Sequence, residues 1–269
     1  MQLSESEFRS LTDFLKANYG INLAQKKILI EGRLQNILSE KGFDNFGDYL
    51  RHVFADSTKQ EITTLINKLT TNHTFFMREM EHFSYLRDQV LPSLTASARE
   101  KDLRMWSAGC SSGEEPYTLA ITLAEFFGED KRLWDTKVLA TDISVDVLQK
   151  AERGMYPVES LQELPASWKL NYFRKIDSEN YQIVERLRAE IIFRVFNLMD
   201  NVFPFKKKFH VIFCRNVMIY FDDATKVELV RKFYEMTEPG GYLFIGHAES
   251  ISKFETGYQC IKPAVYRKG

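Results

Sequence analysis

The stretch Trp106-Ser-Ala-Gly-Cys-Ser-Ser-Gly-Glu-Glu-Pro-Tyr117 decides the fold. It joins an apolar run over 103–106 to a helix-like run over 117–127 through a loop of very small residues. A strand that ends in a glycine-bearing turn and opens into a helix is how an α/β sheet brings its backbone close to a ligand. Gly109 and Gly113 do not spell the dinucleotide fingerprint, and Glu114 and Glu115 stand at the helix start. A helix N-terminus ordinarily attracts phosphate. Two carboxylates there repel a pyrophosphate and suit a cationic ligand, which points to a nucleoside such as S-adenosylmethionine rather than NAD.

Outward from that loop, short β-branched or apolar runs recur at 103–107, 138–141, 191–196, 210–214 and 242–245. Amphipathic stretches at 117–127, 144–153 and 224–236 separate several of them. This alternation predicts a mainly parallel sheet with helices on both faces. The runs at 242–247 and 257–267 have no long helix between them and predict an antiparallel hairpin at the sheet edge. The segment 154–190, with Pro157, Pro165 and the alternating run Tyr181-Gln-Ile-Val-Glu-Arg-Leu, is too long for a plain connection. It reads as an inserted subdomain of a helix and a few short strands, either a cover for the sheet edge or a binding add-on.

The first seventy residues show helical spacing only. Ser4 with Glu7 forms a capping box for a helix that runs through Phe8, Leu11 and Leu15 to Gly20. A second helix spans about 25–41 and stops at Gly42, a third is capped by Asn45, and Ser57 with Gln60 opens a fourth. Lys26, Lys27 and Arg33 cluster on the second.

The 269 residues hold 36 basic and 37 acidic side chains, a formal net charge of −1, so no global field draws the chain to nucleic acid or a membrane surface. No apolar run approaches the ~18 residues that span a bilayer, and the N-terminus lacks a signal-peptide pattern. Cys110, Cys214 and Cys260 are odd in number and widely spaced, which fits a reducing cytoplasm. The five histidines have no metal-ligand spacing, so no metal is expected; His73, His82 and His247 read as surface or hydrogen-bonded residues.

Three further stretches carry chemistry. Asp142 ends the second strand, where an acid accepts hydrogen bonds from ribose hydroxyls, or else caps the helix that begins near Ser144. Phe213-Cys-Arg-Asn-Val-Met-Ile-Tyr-Phe221 closes the fourth strand, at the border of the ligand crevice, and offers Arg215, Asn216 and Tyr220. It lacks the Asn-Pro-Pro-Tyr of enzymes that methylate bases. Leu69-Thr-Thr-Asn-His-Thr-Phe-Phe-Met-Arg-Glu79 joins the two halves; as a helix it would set Thr74 and Arg78 on one face, and as a loop it is a linker with a surface Arg78.

Together these stretches, with Asn197-Leu198 and Gly246-His-Ala-Glu249, resemble the chemotaxis receptor methyltransferases of the CheR type over nearly the whole chain. The resemblance implies a Rossmann-like class I methyltransferase sheet in an α/β fold, with an inserted small β-subdomain at about 155–190. A small all-α domain precedes it, with 1–71 docking the receptor and 72–269 binding S-adenosylmethionine. It implies cofactor contacts from Asn72, Thr74, Arg78, Gly109, Glu115, Asp142, Asn197, Leu198, Arg215 and Asn216. Arg78 and Tyr220 would lie nearest the transferred methyl. The implied activity is esterification of receptor glutamates, with S-adenosylhomocysteine as product. The implied partner is the cytoplasmic helical domain of a chemoreceptor, met by Lys26, Lys27 and Arg33. A monomer is expected. Some members grip a receptor's C-terminal pentapeptide with a glycine-rich loop; the corresponding run, Lys175-Ile-Asp-Ser-Glu-Asn-Tyr-Gln, has no glycine. The rival readings are a nucleoside-binding sensor without turnover, and a methyltransferase for nucleic acid or a small molecule.

Overall fold

In the computed structural model, which describes residues 2–70, 73–98, 100–251 and 255–269, Ser4 and Glu7 open the first helix reciprocally. The Ser4 Oγ accepts the Glu7 N–H, and the Glu7 carboxylate accepts the Ser4 N–H at 2.8 Å. The resulting α1 (Glu5–Tyr19) stops at Gly20, whose φ of 71° suits glycine. Next come α2 (Lys27–Lys41), α3 (Phe46–Ala55) and α4 (Gln60–Leu69). Asn45 caps α3 through the Asp48 N–H. The cap of α4 differs from expectation. Asp56, not Ser57, accepts the N–H groups of Thr58 and Glu61, each at 2.8 Å. A carboxylate with two oxygens satisfies two orphan donors where one hydroxyl satisfies one.

After α5 (Met80–Tyr85) a π-turn leads into α6 (Leu91–Ser97). The sheet begins with β1 (Met105–Ala108), followed by α7 (Glu114–Phe127), β2 (Val138–Asp142) and α8 (Val145–Arg153). β3 (Met155–Pro157), α9 (Ala166–Tyr172), β4 (Phe173–Lys175), β5 (Asn180–Ile183) and α10 (Glu185–Arg188) interrupt the alternation. It resumes with β6 (Ile191–Val195), β7 (Phe209–Cys214), α11 (Asp223–Met236) and β8 (Thr237–Ile245), and ends in β9 (Tyr258–Lys262) and β10 (Val265–Lys268).

The main sheet runs β6-β2-β1-β7-β8-β10-β9, parallel from β6 to β8 and antiparallel beyond. The run read as one edge strand over 257–267 is itself a hairpin. Pro263 has no N–H for a ladder and Ala264 sits at φ 64°, so the chain must turn there. β3, β5 and β4 form a separate antiparallel sheet, and the β4–β5 turn is built by Asp177, whose Oδ1 accepts from Glu179 and Asn180. An Asx turn takes the place of glycine there.

One core face is shared by the helical bundle and the sheet: Leu11, Leu34 and Leu65 belong to the same apolar cluster as Trp106, Ile212 and Phe233. Trp106 is fully buried amid Phe203, Phe205, Phe209 and Phe233, and its Nε1 donates to Thr141 Oγ1 at 2.9 Å. A buried indole thus keeps its apolar burial without an orphaned donor. α7 is buried along most of its length, and Thr118 and Thr122 return their hydroxyls to the carbonyls four residues back. No helix among the described residues is long and apolar enough to cross a membrane.

Candidate functional site

The loop between β1 and α7 is pinned from below by β2. Gly109 and Cys110 donate their N–H groups to Thr141 O at 2.8 and 2.9 Å. Asp142 accepts the Ser111 N–H through Oδ2 at 2.9 Å and the Ser144 N–H through Oδ1 at 3.0 Å. Ser144 itself caps α8, so Asp142 supports both the glycine loop and the helix start. Each oxygen retains a lone pair for a further donor. Burial pushes the Asp142 carboxyl up, and the backbone N–H groups pull it back down. At Gly109 (φ 87°) a Cβ would stand 2.5 Å from the Val217 side chain, so only glycine lets the loop lie against the chain that follows β7.

The two acids at the helix start part company. Glu114 accepts from Ser112 Oγ at 2.7 Å and does not line the cleft. Glu115 does line it, accepting from Ser107 Oγ at 2.7 Å and pairing with Arg215 Nη1 at 3.0 Å. Burial raises the Glu115 carboxyl, with Arg215 as the chief opposing influence. Arg215 is almost wholly buried. It also pairs with Glu79 at 3.1 Å, donates to Arg78 O, and lies 5.2 Å from the Phe83 ring centre. One guanidinium thus sits between two carboxylates, of which Glu115 lines the cleft.

The stretch 73–79 is a turn, not a helix, with Met77 and Glu79 in left-handed backbone. The face-sharing argument for Thr74 and Arg78 therefore fails, yet both line the cleft. Arg78 Nη1 donates to His73 O at 2.7 Å. Asn216, at φ 61°, donates its N–H to Glu249 and its side-chain amide towards Glu79. Tyr220 ends a single turn (Met218–Tyr220), and its carbonyl accepts the Asn22 N–H at 2.8 Å. Asn197 bridges outward to Asn18 O at 2.8 Å.

All of these meet in one cleft of about 1110 Å³, counted to its open mouth. Thr74, Arg78, Gly109, Glu115, Asp142, Asn197, Leu198, Arg215, Asn216 and Tyr220 line it. Asn72 lies outside the described residues. The lining fits an adenosyl sulfonium ligand: a strand-end carboxylate for hydroxyls, apolar Ile143, Phe196 and Leu198 for a flat ring, and the Glu115 carboxylate for the charge. Spacing did not point to the contribution of the helical bundle. Tyr19, Ile21, Ile66 and Asn67 form part of the wall, and Asn67 Nδ2 donates to Ser144 Oγ at 2.8 Å. Glu79 and Glu249, the acids that hold Arg215 and Asn216, were also missed as site residues, although both fall within stretches that carried the resemblance.

His73 and His247 are exposed, as expected, and His82 differs from expectation. His82 is 1% exposed, packed against Phe244 and His247, not a surface residue. Burial holds its ring down at about 3. Among the described residues, Glu79, His82 and His247 bring possible metal-ligand atoms within 4.8 Å of one another. The Glu79 oxygens already accept from Arg215, Asn216 and the His247 N–H, so the trio offers no open carboxylate. Of the basic cluster on α2, Lys27 pairs with Glu5 at 2.5 Å and Arg33 donates to Leu69 O at 2.6 Å, while Lys26 is exposed. All three cysteines are free.

Comparison with known proteins identifies the family. A family model described as the SAM binding domain of CheR methyltransferase matches residues 72–267, and one described as its all-alpha domain matches residues 6–70. The chemotaxis protein methyltransferase of Borreliella burgdorferi is 42% identical over 100% of this chain and 96% of its own length. That of Escherichia coli is 37% identical over 99% of this chain and 92% of its own. Chemotaxis protein methyltransferase 2 of Pseudomonas aeruginosa is 36% identical over 92% and 88%. With both segments matched in order and the adenosyl-type cleft between them, the chain belongs to the CheR methyltransferase family and is an S-adenosylmethionine-dependent methyltransferase.

Proposed function

We propose that the cleft holds S-adenosylmethionine and that the chain esterifies glutamate side chains of chemoreceptors, on the cytoplasmic side and as a monomer. The observation that carries this is the convergence of every described candidate, Thr74 to Tyr220, on one cleft. Asp142 would hold the ribose hydroxyls, and Gly109 would let the loop backbone approach. Asn197 and Leu198 would flank the base. Glu115, Arg215 and Asn216 would form the floor and Thr74 the near wall, with Asn72 a cofactor contact by the family resemblance.

When bound, the cofactor supplies an electrophilic methyl: the glutamate O–CH₃ bond forms as the S–CH₃ bond breaks, and the electron pair stays on sulfur in S-adenosylhomocysteine. A glutamate of pKa ~4.3 is already ionised at neutral pH, so no side chain has to act as base. Glu114 and Glu115 therefore need not handle a proton. Arg78 and Tyr220 orient the incoming carboxylate, and alignment of this kind supplies several kcal/mol, up to roughly 7–11 in ideal cases. Too firm a grip on the carboxylate would stabilise the ground state instead. The receptor helix would meet α2, with Lys26 exposed and Lys27 and Arg33 beside it.

Incubation with methyl-labelled cofactor and chemoreceptor membranes tests the reading. Base-labile label on the receptor is expected. Label on RNA, or cofactor binding without transfer, would overturn it.

A further inference from the structure

Glu249 is a buried carboxylate, 8% exposed, that follows β8 and does not line the cleft. Its Oε2 accepts the Gly246 N–H at 2.6 Å and the Asn216 N–H at 2.9 Å. The Met218 N–H also favours its charged form. One side chain therefore ties the turn after β8 to the segment after β7. The two segments are in close contact: a Cβ on Gly246 would stand 2.4 Å from Asn216 Nδ2 and 2.9 Å from its backbone N.

We propose that Glu249 is a positioning residue for the methyl-transfer site, fixing Asn216 in its left-handed backbone and so aiming Tyr220. This rests on the proposed roles of Asn216 and Tyr220. Asparagine visits left-handed backbone more readily than other residues with a Cβ, and a single residue holds it where its surroundings fix it. The Asn216 N–H is the handle here. Two residues on, Met218 begins the turn that carries Tyr220 to the cleft, and its own N–H lies on the same carboxylate. Release of the carboxylate frees both ends of this short segment. A reacting group displaced by about 1 Å costs on the order of 10²-fold in rate.

Glutamine separates charge from shape at this position. Its amide oxygen can replace Oε2, while its NH₂ falls where the buried Oε1 has no hydrogen-bond partner. It keeps the acceptor and weakens it.

The test compares the full chain with Glu249→Ala and Glu249→Gln. Hydrogen exchange of the Asn216, Met218 and Gly246 amides is read without ligand. kcat and KM for S-adenosylmethionine are read on receptor membranes, and S-adenosylhomocysteine affinity by calorimetry. Expected for Glu249→Ala is faster exchange at those three amides, unchanged exchange in β1 and β2, and a kcat lowered by about 10²-fold. Glu249→Gln should fall between it and wild type in both exchange and kcat. Unchanged exchange in the variants, or lost protection with kcat and affinity intact, would overturn the proposal. Should the alanine variant fail to fold, the glutamine variant decides by the same readouts. Wild type that binds S-adenosylhomocysteine but labels no receptor would overturn the substrate reading alone, and amide exchange would still decide this one: Asn216 and Met218 amides as protected in Glu249→Gln and Glu249→Ala as in wild type refute it.

Discussion

Asp142 accepts the Ser111 N–H at 2.9 Å, so the carboxylate proposed for the ribose also shapes the loop that faces the ligand. Its other oxygen serves Ser144. Asparagine, with one acceptor oxygen, cannot serve both. Asp142→Asn should weaken S-adenosylhomocysteine by roughly 10- to 100-fold, the scale of a hydrogen bond to a charged group. kcat at saturating cofactor should change far less, and calorimetry beside steady-state kinetics checks both.

Arg78 and Tyr220 should behave in the opposite way. Arg78→Ala is expected to lower kcat by about 10²-fold with a smaller effect on cofactor affinity, because its assigned task is orientation. Tyr220→Phe keeps the ring and loses one hydroxyl, for a drop of about tenfold. Turnover by Arg78→Ala at the wild-type rate would remove that residue from its assigned role.

Gly109 offers a test of the loop itself. Alanine there meets both the φ of 87° and the Val217 methyl. The left-handed backbone alone costs about 1–2 kcal/mol, and the clash adds to it. Gly109→Ala should lower the thermal midpoint and weaken cofactor binding. Adding Val217→Ala should restore part of the loss but not the backbone cost. Full restoration would mean that the backbone is not strained.

His82 sets a pH signature. Its ring, neutral in the folded chain down to about 3, titrates near 6.5 when unfolded. Burial is the main cause and Arg215 the next; Glu79 opposes both, while His247 and Lys262 add to them. The folded state binds fewer protons in this window. Stability should therefore fall as the pH drops from about 6.5 towards 3, by up to ~1.4 kcal/mol per pH unit from this group. His82→Phe, packed against Phe244 in the same slot, should flatten that slope. Denaturant titrations at pH 4 to 7 measure it.

How much of this could be read in the sequence depends on the range of the forces involved. The capping box, the glycine stops and the strand–helix alternation are local, and spacing exposes them. The cap of α4 was misread because Asp56 reaches forward five residues to Glu61, further than the usual cap. The hairpin at Pro263–Ala264 was missed because the strand residues on either side of it hid the turn. In the site, the glycine loop and Asp142 were legible from their place at strand ends. Arg78 gained its place from the resemblance, since its turn has no periodicity. The walls from Tyr19, Ile66 and Asn67 were invisible, because nothing in a helix's own sequence says which distant strand end it covers.

The Asn22 N–H bonded to the Tyr220 carbonyl has a consequence for heredity. The two family-matched segments cannot drift apart freely, because the loop after α1 holds the backbone of Tyr220, which lines the cleft. Chimeras that exchange residues 6–70 between relatives would trade part of the pocket wall along with the proposed docking surface. Such hybrids should inherit their cofactor affinity from both parents at once.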